Sequence, residues 1–119
     1  MKKDCVSEII KYCEKRENVL KEGLPISKYN YYFKKMQQYA QQLIDDGQQD
    51  RLLPYLKSDS ISVRKDVADI LFKYHPDICK PVLKEIAQMT VPNGLPKHLV
   101  MVAVSASIAL EYGEPKNYQ

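Results

Sequence analysis

The chain has 119 residues and a formal net charge of +3, and apolar residues make up 45% of it. That length fits one domain with a single core, and this apolar share excludes a disordered chain. No apolar run approaches the ~20 residues that a membrane span requires. The basic and polar start of the sequence lacks the apolar core of a signal peptide, so we expect a cytoplasmic protein.

The sequence predicts two long leading helices within residues 1–47. Apolar residues at helical spacing run from about 4 to 22, with Asp4 as a candidate N-cap and Gly23 as the end. The second helix is expected from 27 to 47, with a broad and strongly aromatic core face.

Three shorter helices are predicted next, over residues 49–57, 61–74 and 78–89. Loops of about 3 residues join them, so neighbours in sequence should pack antiparallel. We expect Asp77 to cap the last of these helices and Ile78 to join its core.

A final helix is predicted over residues 97–112, with apolar side chains around almost its whole circumference. Such a helix is either packed centrally or covered by a second copy of the chain. We favour a monomer over a homodimer, because the first helix also has an apolar face that needs a partner. Val104 is then a core residue.

The segment 51–72 resembles a HEAT-type repeat: a leucine-rich helix, an Asp-bearing turn and a helix opened by Val63-Arg64. With Asn30-Tyr31-Tyr32-Phe33 before it, the chain is similar to a family of small bacterial proteins of unknown function with HEAT-like repeats. The resemblance implies an all-α fold of five or six helices in HEAT-like antiparallel pairs, a short α-solenoid over residues 48–112. It implies that Asp59 and Arg64 fix the turn, and it brings no known activity.

The usual motifs of enzyme and metal sites are missing from the sequence: it has no glycine-rich phosphate loop and no HExxH. His75 with Cys79 could mimic a base and a nucleophile, but no third group is in place to orient them. The carboxylates around Gly47 lack the spacing of a calcium loop. We therefore predict no catalytic residue, no metal and no cofactor.

Protein binding is the function that the remaining features favour. Nine tyrosines are present, and tyrosine is enriched at protein interfaces. Tyr31 and Phe72 point away from their core stripes, and Lys65 and Asp69 lie on predicted outer surfaces, with Asp69 paired to Lys73. These four, Tyr31, Lys65, Asp69 and Phe72, are the candidate partner-binding residues, although Tyr31 and Phe72 could instead pack against a neighbouring helix.

Three hypotheses for function follow from the sequence. The first is a non-enzymatic module that binds another protein, in its narrower form an immunity protein that binds a cognate toxin. The second is a nucleic-acid binder that uses Lys34, Lys35, Arg64 and Lys65, although no dense basic cluster supports it. The third is an enzyme with an unrecognised site.

Overall fold

The protein is all-α. The computed structural model describes residues 4–88, and within that range the chain forms four α-helices, one 3₁₀ helix and no strand. In chain order the elements are α1 (Cys5–Glu22), α2 (Ile26–Asp45), the 3₁₀ helix (Gln49–Lys57), α3 (Ile61–Leu71) and α4 (Pro76–Ala87).

The first two helices form an antiparallel hairpin close to the predicted bounds. The Asp4 side chain caps α1 by accepting a hydrogen bond from the Ser7 amide, as predicted. Gly23 ends the helix at a φ of 67°, a left-handed conformation that suits glycine. Side-chain contacts run in opposite directions along the two helices, from Cys5 with Gln42 to Arg16 with Tyr29, which establishes the antiparallel pairing.

The predicted short helix at 49–57 has the expected bounds, but it is a 3₁₀ helix rather than an α-helix. Pro54 lies inside it and has no amide hydrogen to donate. Ser60 then caps α3, because its hydroxyl accepts a hydrogen bond from the Val63 amide at 3.2 Å.

Helix α4 begins two residues earlier than predicted. His75 occupies the N-cap position, and Pro76 starts the helix, where its fixed φ is favourable. Asp77 therefore lies within the first turn, and the prediction that it caps the helix is wrong. The register places Cys79 in the core and leaves Ile78 48% exposed, so the core prediction for Ile78 is wrong as well.

Helix α3 is the central element of the described part of the chain. It packs against the 3₁₀ helix, against α4 and against α1, while α1 pairs most extensively with α2. The core that results draws on every element; its fully buried large side chains include Ile9, Met36, Leu43, Leu52, Ile70, Leu71, Leu83 and Ile86. The predicted helix at 97–112, with Val104, and the loop before it lie outside the described residues.

Candidate functional site

The four predicted partner-binding residues do not form one surface. Tyr31 is exposed, as predicted, and Phe72 is half-buried and packs against the core. Lys65 and Asp69 are buried, so their predicted position on an outer surface is wrong. The reason is that α3 is covered on nearly every side: all residues from 62 to 71 are buried except Arg64.

Lys65 and Asp69 form a buried ion pair one helical turn apart. The predicted pairing of Asp69 with the exposed Lys73 is therefore wrong. Burial raises the pKa of the Asp69 carboxyl to about 6, although the Lys65 ammonium partly opposes this effect. Within residues 4–88, the second carboxylate oxygen of Asp69 has no hydrogen-bond partner.

A second buried ion pair ties α1 to α3. Arg16 Nη1 lies 2.9 Å from Asp66 Oδ2, and both side chains are about nine-tenths buried. The same guanidinium donates a hydrogen bond to the Tyr29 hydroxyl at 2.8 Å and lies over the Tyr29 and Phe33 rings. The sequence prediction missed this contact, although Arg16 falls three residues after Cys13 on the apolar stripe of α1.

Burial disfavours ionisation of two of the three cysteines, Cys13 and Cys79. All three are free and buried. Burial raises the pKa of the Cys13 thiol well above its ordinary value, and it raises the pKa of Cys79 to about 11. Since a thiolate is the nucleophile, neither thiol is activated at neutral pH.

His75 Nε2 lies 2.7 Å from Asp50 Oδ1, so it ties α4 to the 3₁₀ helix.

The residues predicted to fix the turn are placed differently from the expectation. Asp59 is exposed. Arg64 points towards α4, where its Nη1 lies 3.5 Å from Glu85 Oε1. Arg64 is thus held by an ion pair between consecutive helices rather than by the turn before its own helix.

The nucleic-acid hypothesis needed four basic residues on one surface. Lys65 is buried and Arg64 is paired with Glu85, whereas Lys34 is exposed on α2. Because α2 and α3 have few contacts with each other, the two predicted basic pairs do not make a common patch.

The most distinctive surface lies on the α1–α2 hairpin. Four tyrosine rings form a continuous series there, each with its centroid within 6.2 Å of the next: Tyr39, Tyr12, Tyr32 and Tyr31. We name this series the tyrosine ladder. Tyr31, at one end, is 54% exposed, and the other three rings are half-buried. Sequence analysis singled out Tyr31 but not the ladder, because its members come from two helices.

Three lysines accompany the tyrosine ladder. The ammonium groups of Lys11, Lys15 and Lys35 lie 5.1, 5.3 and 5.8 Å from the centroids of Tyr12, Tyr32 and Tyr31, respectively. Such contacts stabilise a cation over an aromatic ring. From residue 26 to residue 44, α2 carries three lysines and no carboxylate, so its exposed surface is positive. On α1, Glu8 partly balances Lys11 at 3.5 Å.

The described residues hold no group of three or more His, Cys, Asp or Glu side chains that could bind a metal ion. None of the helices within residues 4–88 is both long enough and apolar enough to span a membrane. The tyrosine ladder presents phenol hydroxyls, aromatic edges and ammonium groups on the paired helices α1 and α2. No family model, curated protein or solved structure matches this chain.

Proposed function

We propose that this protein is a non-enzymatic protein-binding module whose tyrosine ladder contacts an acidic surface of its partner. The single observation that carries the proposal is the series of four tyrosine rings with a lysine ammonium over three of them. Tyrosine supplies a large contact area at little cost in side-chain entropy, and it is enriched in binding surfaces. The lysines add charge that complements carboxylates.

The arrangement of the rings favours a protein over a nucleic acid. Single-stranded nucleic acids bind by stacking bases on open aromatic faces. Here the Tyr12 ring is stacked with Tyr39 at an interplanar angle of 15° and also contacts Lys11. Lysines likewise lie over Tyr31 and Tyr32. The hydroxyls and ammonium groups remain available, and these groups suit carboxylate side chains and peptide carbonyls.

The finer parts of the proposal come from the sequence. They are a cytoplasmic location, a monomer, HEAT-like stacking of the helix pairs and, as the narrower hypothesis, a cognate toxin as the partner. The packing of α3 against both the 3₁₀ helix before it and α4 after it supports the stacking, and the exposed position of Tyr31 supports its role in binding.

Affinity capture with matched variants tests the proposed surface. The double variant Tyr31→Ala/Lys35→Ala removes the exposed end of the tyrosine ladder. Its control, Lys73→Ala/Tyr74→Ala, makes the same two changes at exposed residues after α3. We expect the wild type and the control to retain the same partner and the first variant to lose it. Equal retention by both variants would contradict the proposal.

A nucleic-acid assay separates the alternative function. A labelled oligothymidylate of about 20 nucleotides should not bind at roughly 50 mM salt, where electrostatic contacts to phosphate are strong. Binding that disappears in Tyr31→Ala/Lys35→Ala and persists in the control would assign the tyrosine ladder to nucleic acid instead.

A further inference from the structure

A surface pocket of about 350 Å³ adjoins the tyrosine ladder. It lies beside α1 and the turn into α2, and it shares Lys15 and Tyr32 with the ladder and its lysines. The remaining lining residues are Glu14, Asn18, Val19 and Leu24. The pocket is therefore a continuation of the same binding surface rather than a separate site.

The lining divides into an apolar floor and a polar rim. Val19 is buried at the base of the pocket, and Leu24, which is 40% exposed, supplies the accessible aliphatic surface. Glu14, Lys15 and Asn18 are exposed around it. Among the described residues neither Glu14 nor Lys15 belongs to an ion pair, and the Lys15 ammonium lies over the Tyr32 ring instead.

The openness of the pocket to solvent favours a side chain of a bound protein over a free small molecule. Small-molecule sites enclose most of their ligand's surface. Here four of the six lining residues are exposed, so a free ligand would stay largely in water. A single side chain that projects from a bound protein needs only one apolar contact area, because the rest of the partner supplies the remaining contacts.

The charges around the pocket determine the kind of side chain that fits. A cationic side chain would meet Lys15 and the field of the other ladder lysines. A carboxylate in the pocket itself would meet Glu14, whose repulsion opposes the attraction of Lys15. An apolar side chain avoids repulsion by either rim charge and covers Leu24, while carboxylates next to it in sequence reach Lys15, Lys11 and Lys35.

We infer that this pocket anchors one large aliphatic side chain of an acidic segment in the partner protein. The inference rests on the proposed function, and it adds the chemistry of the partner: a leucine-type residue flanked by Asp or Glu. Glu14 disfavours a carboxylate at the anchor position, and the lysines favour carboxylates on either side of it.

Synthetic peptides test the inference directly. The probe is a fluorescein-labelled peptide of about 12 residues in which a central leucine is flanked by Asp and Glu. Matched peptides replace the leucine with serine or glutamate, or replace every flanking acid with its amide. We expect the leucine peptide to bind the full chain at least about tenfold more tightly than the serine and glutamate peptides, since burial of one leucine alone supplies that factor. We expect it to bind more tightly than the amide peptide as well, because only its flanking carboxylates are attracted by the lysines.

Two variants and a control assign the effect to the pocket. Leu24→Ser should abolish the preference for leucine over serine, and Glu14→Gln should improve binding of the glutamate peptide. Ile78→Ser removes an apolar side chain of similar exposure from α4 and should change nothing. Equal affinity for the leucine and serine peptides, or no binding of the leucine peptide up to about 1 mM, would overturn the inference.

Failure of this inference is distinguishable from failure of the proposed function. If a captured partner is lost by Tyr31→Ala/Lys35→Ala but retained by Leu24→Ser, the result supports the proposed function and contradicts the anchor inference. If neither variant changes capture, both proposals fall.

Discussion

Lysines on the α1–α2 hairpin and a lysine on α3 occupy opposite environments. Lys11, Lys15 and Lys35 lie on the outer surface over tyrosine rings, whereas Lys65 is buried against Asp69. The residue type is the same in both regions, so the number of covered faces on each helix decides whether its lysine is exposed or buried. The hairpin has one face in the core and one that carries the tyrosine ladder. Helix α3 is covered almost completely, and its charges serve the fold.

The largest expected effect comes from the buried pair between α1 and α3. Asp66→Ala removes the carboxylate that pairs with the buried Arg16 guanidinium, and it should lower the free energy of unfolding by roughly 3–5 kcal/mol. Urea denaturation measures the loss. Glu14→Ala, which removes an exposed carboxylate from α1, is the control and should stay within about 0.5 kcal/mol of the wild type. Similar losses in both variants would mean that Asp66 is not the buried anchor.

Lysine substitutions in α3 and in α2 should differ in their effect on stability, because one lysine is buried and the other is exposed. Lys65→Met leaves the buried Asp69 unpaired, and Asp69 can lower the free-energy cost of burying an unpaired charge by taking up a proton. We therefore expect a loss of roughly 1–3 kcal/mol, less than for Asp66→Ala. Lys34→Met, at an exposed position on α2, should have almost no effect on the unfolding midpoint. If the two lysine variants are equally stable, Lys65 is not held inside the fold.

The elevated pKa of Asp69 predicts a pH dependence of stability. Its pKa rises from 3.8 to about 6 on folding, so the folded state binds a proton over this range while the unfolded state does not. The stability that this group contributes is complete below pH 3.8 and is lost as the pH rises through about 6. Relative to Asp69→Asn, whose side chain does not titrate, the wild type should show a falling thermal unfolding midpoint as the pH rises over that interval. A relative gain would contradict the assignment.

The smallest effect is expected at Arg64. Its partner Glu85 is largely exposed, and such pairs contribute about 0–1 kcal/mol. Arg64→Met, which keeps an apolar chain, should match Glu85→Ala in stability, and Asp59→Ala should cost nothing measurable. If Arg64→Met and Asp59→Ala instead lowered the stability clearly and by the same amount, the result would favour the turn contact that the HEAT resemblance implies.

Helical periodicity and capping chemistry were enough to predict the all-α class and the approximate bounds of the helices within residues 4–88. The Asp4 cap, the Gly23 turn and the bounds of the 3₁₀ helix follow from local signals that act within a few residues. The register of α4 did not follow, because Asp77 is a good cap in isolation and only the structure shows that Pro76 already begins the helix.

The candidate site was harder to predict for a physical reason. Tyr31 is identified by its position opposite the apolar stripe of α2. The tyrosine ladder needs the pairing of α1 with α2, and the burial of Lys65 and Asp69 needs the packing around α3. Both depend on contacts between residues far apart in sequence, and spacing along a single helix carries no information about them.

Hydroxyl-radical footprinting of the tyrosine side chains tests whether the tyrosine ladder is the binding surface. The protein is oxidised alone and in complex with the partner that it captures, and the oxidation rate of each tyrosine is read by mass spectrometry. We expect Tyr31 to become protected in the complex, with smaller changes at Tyr12 and Tyr32, while Tyr74 after α3 reacts at an unchanged rate. Protection of Tyr74 with no change at Tyr31 would contradict the claim that the tyrosine ladder is the binding surface.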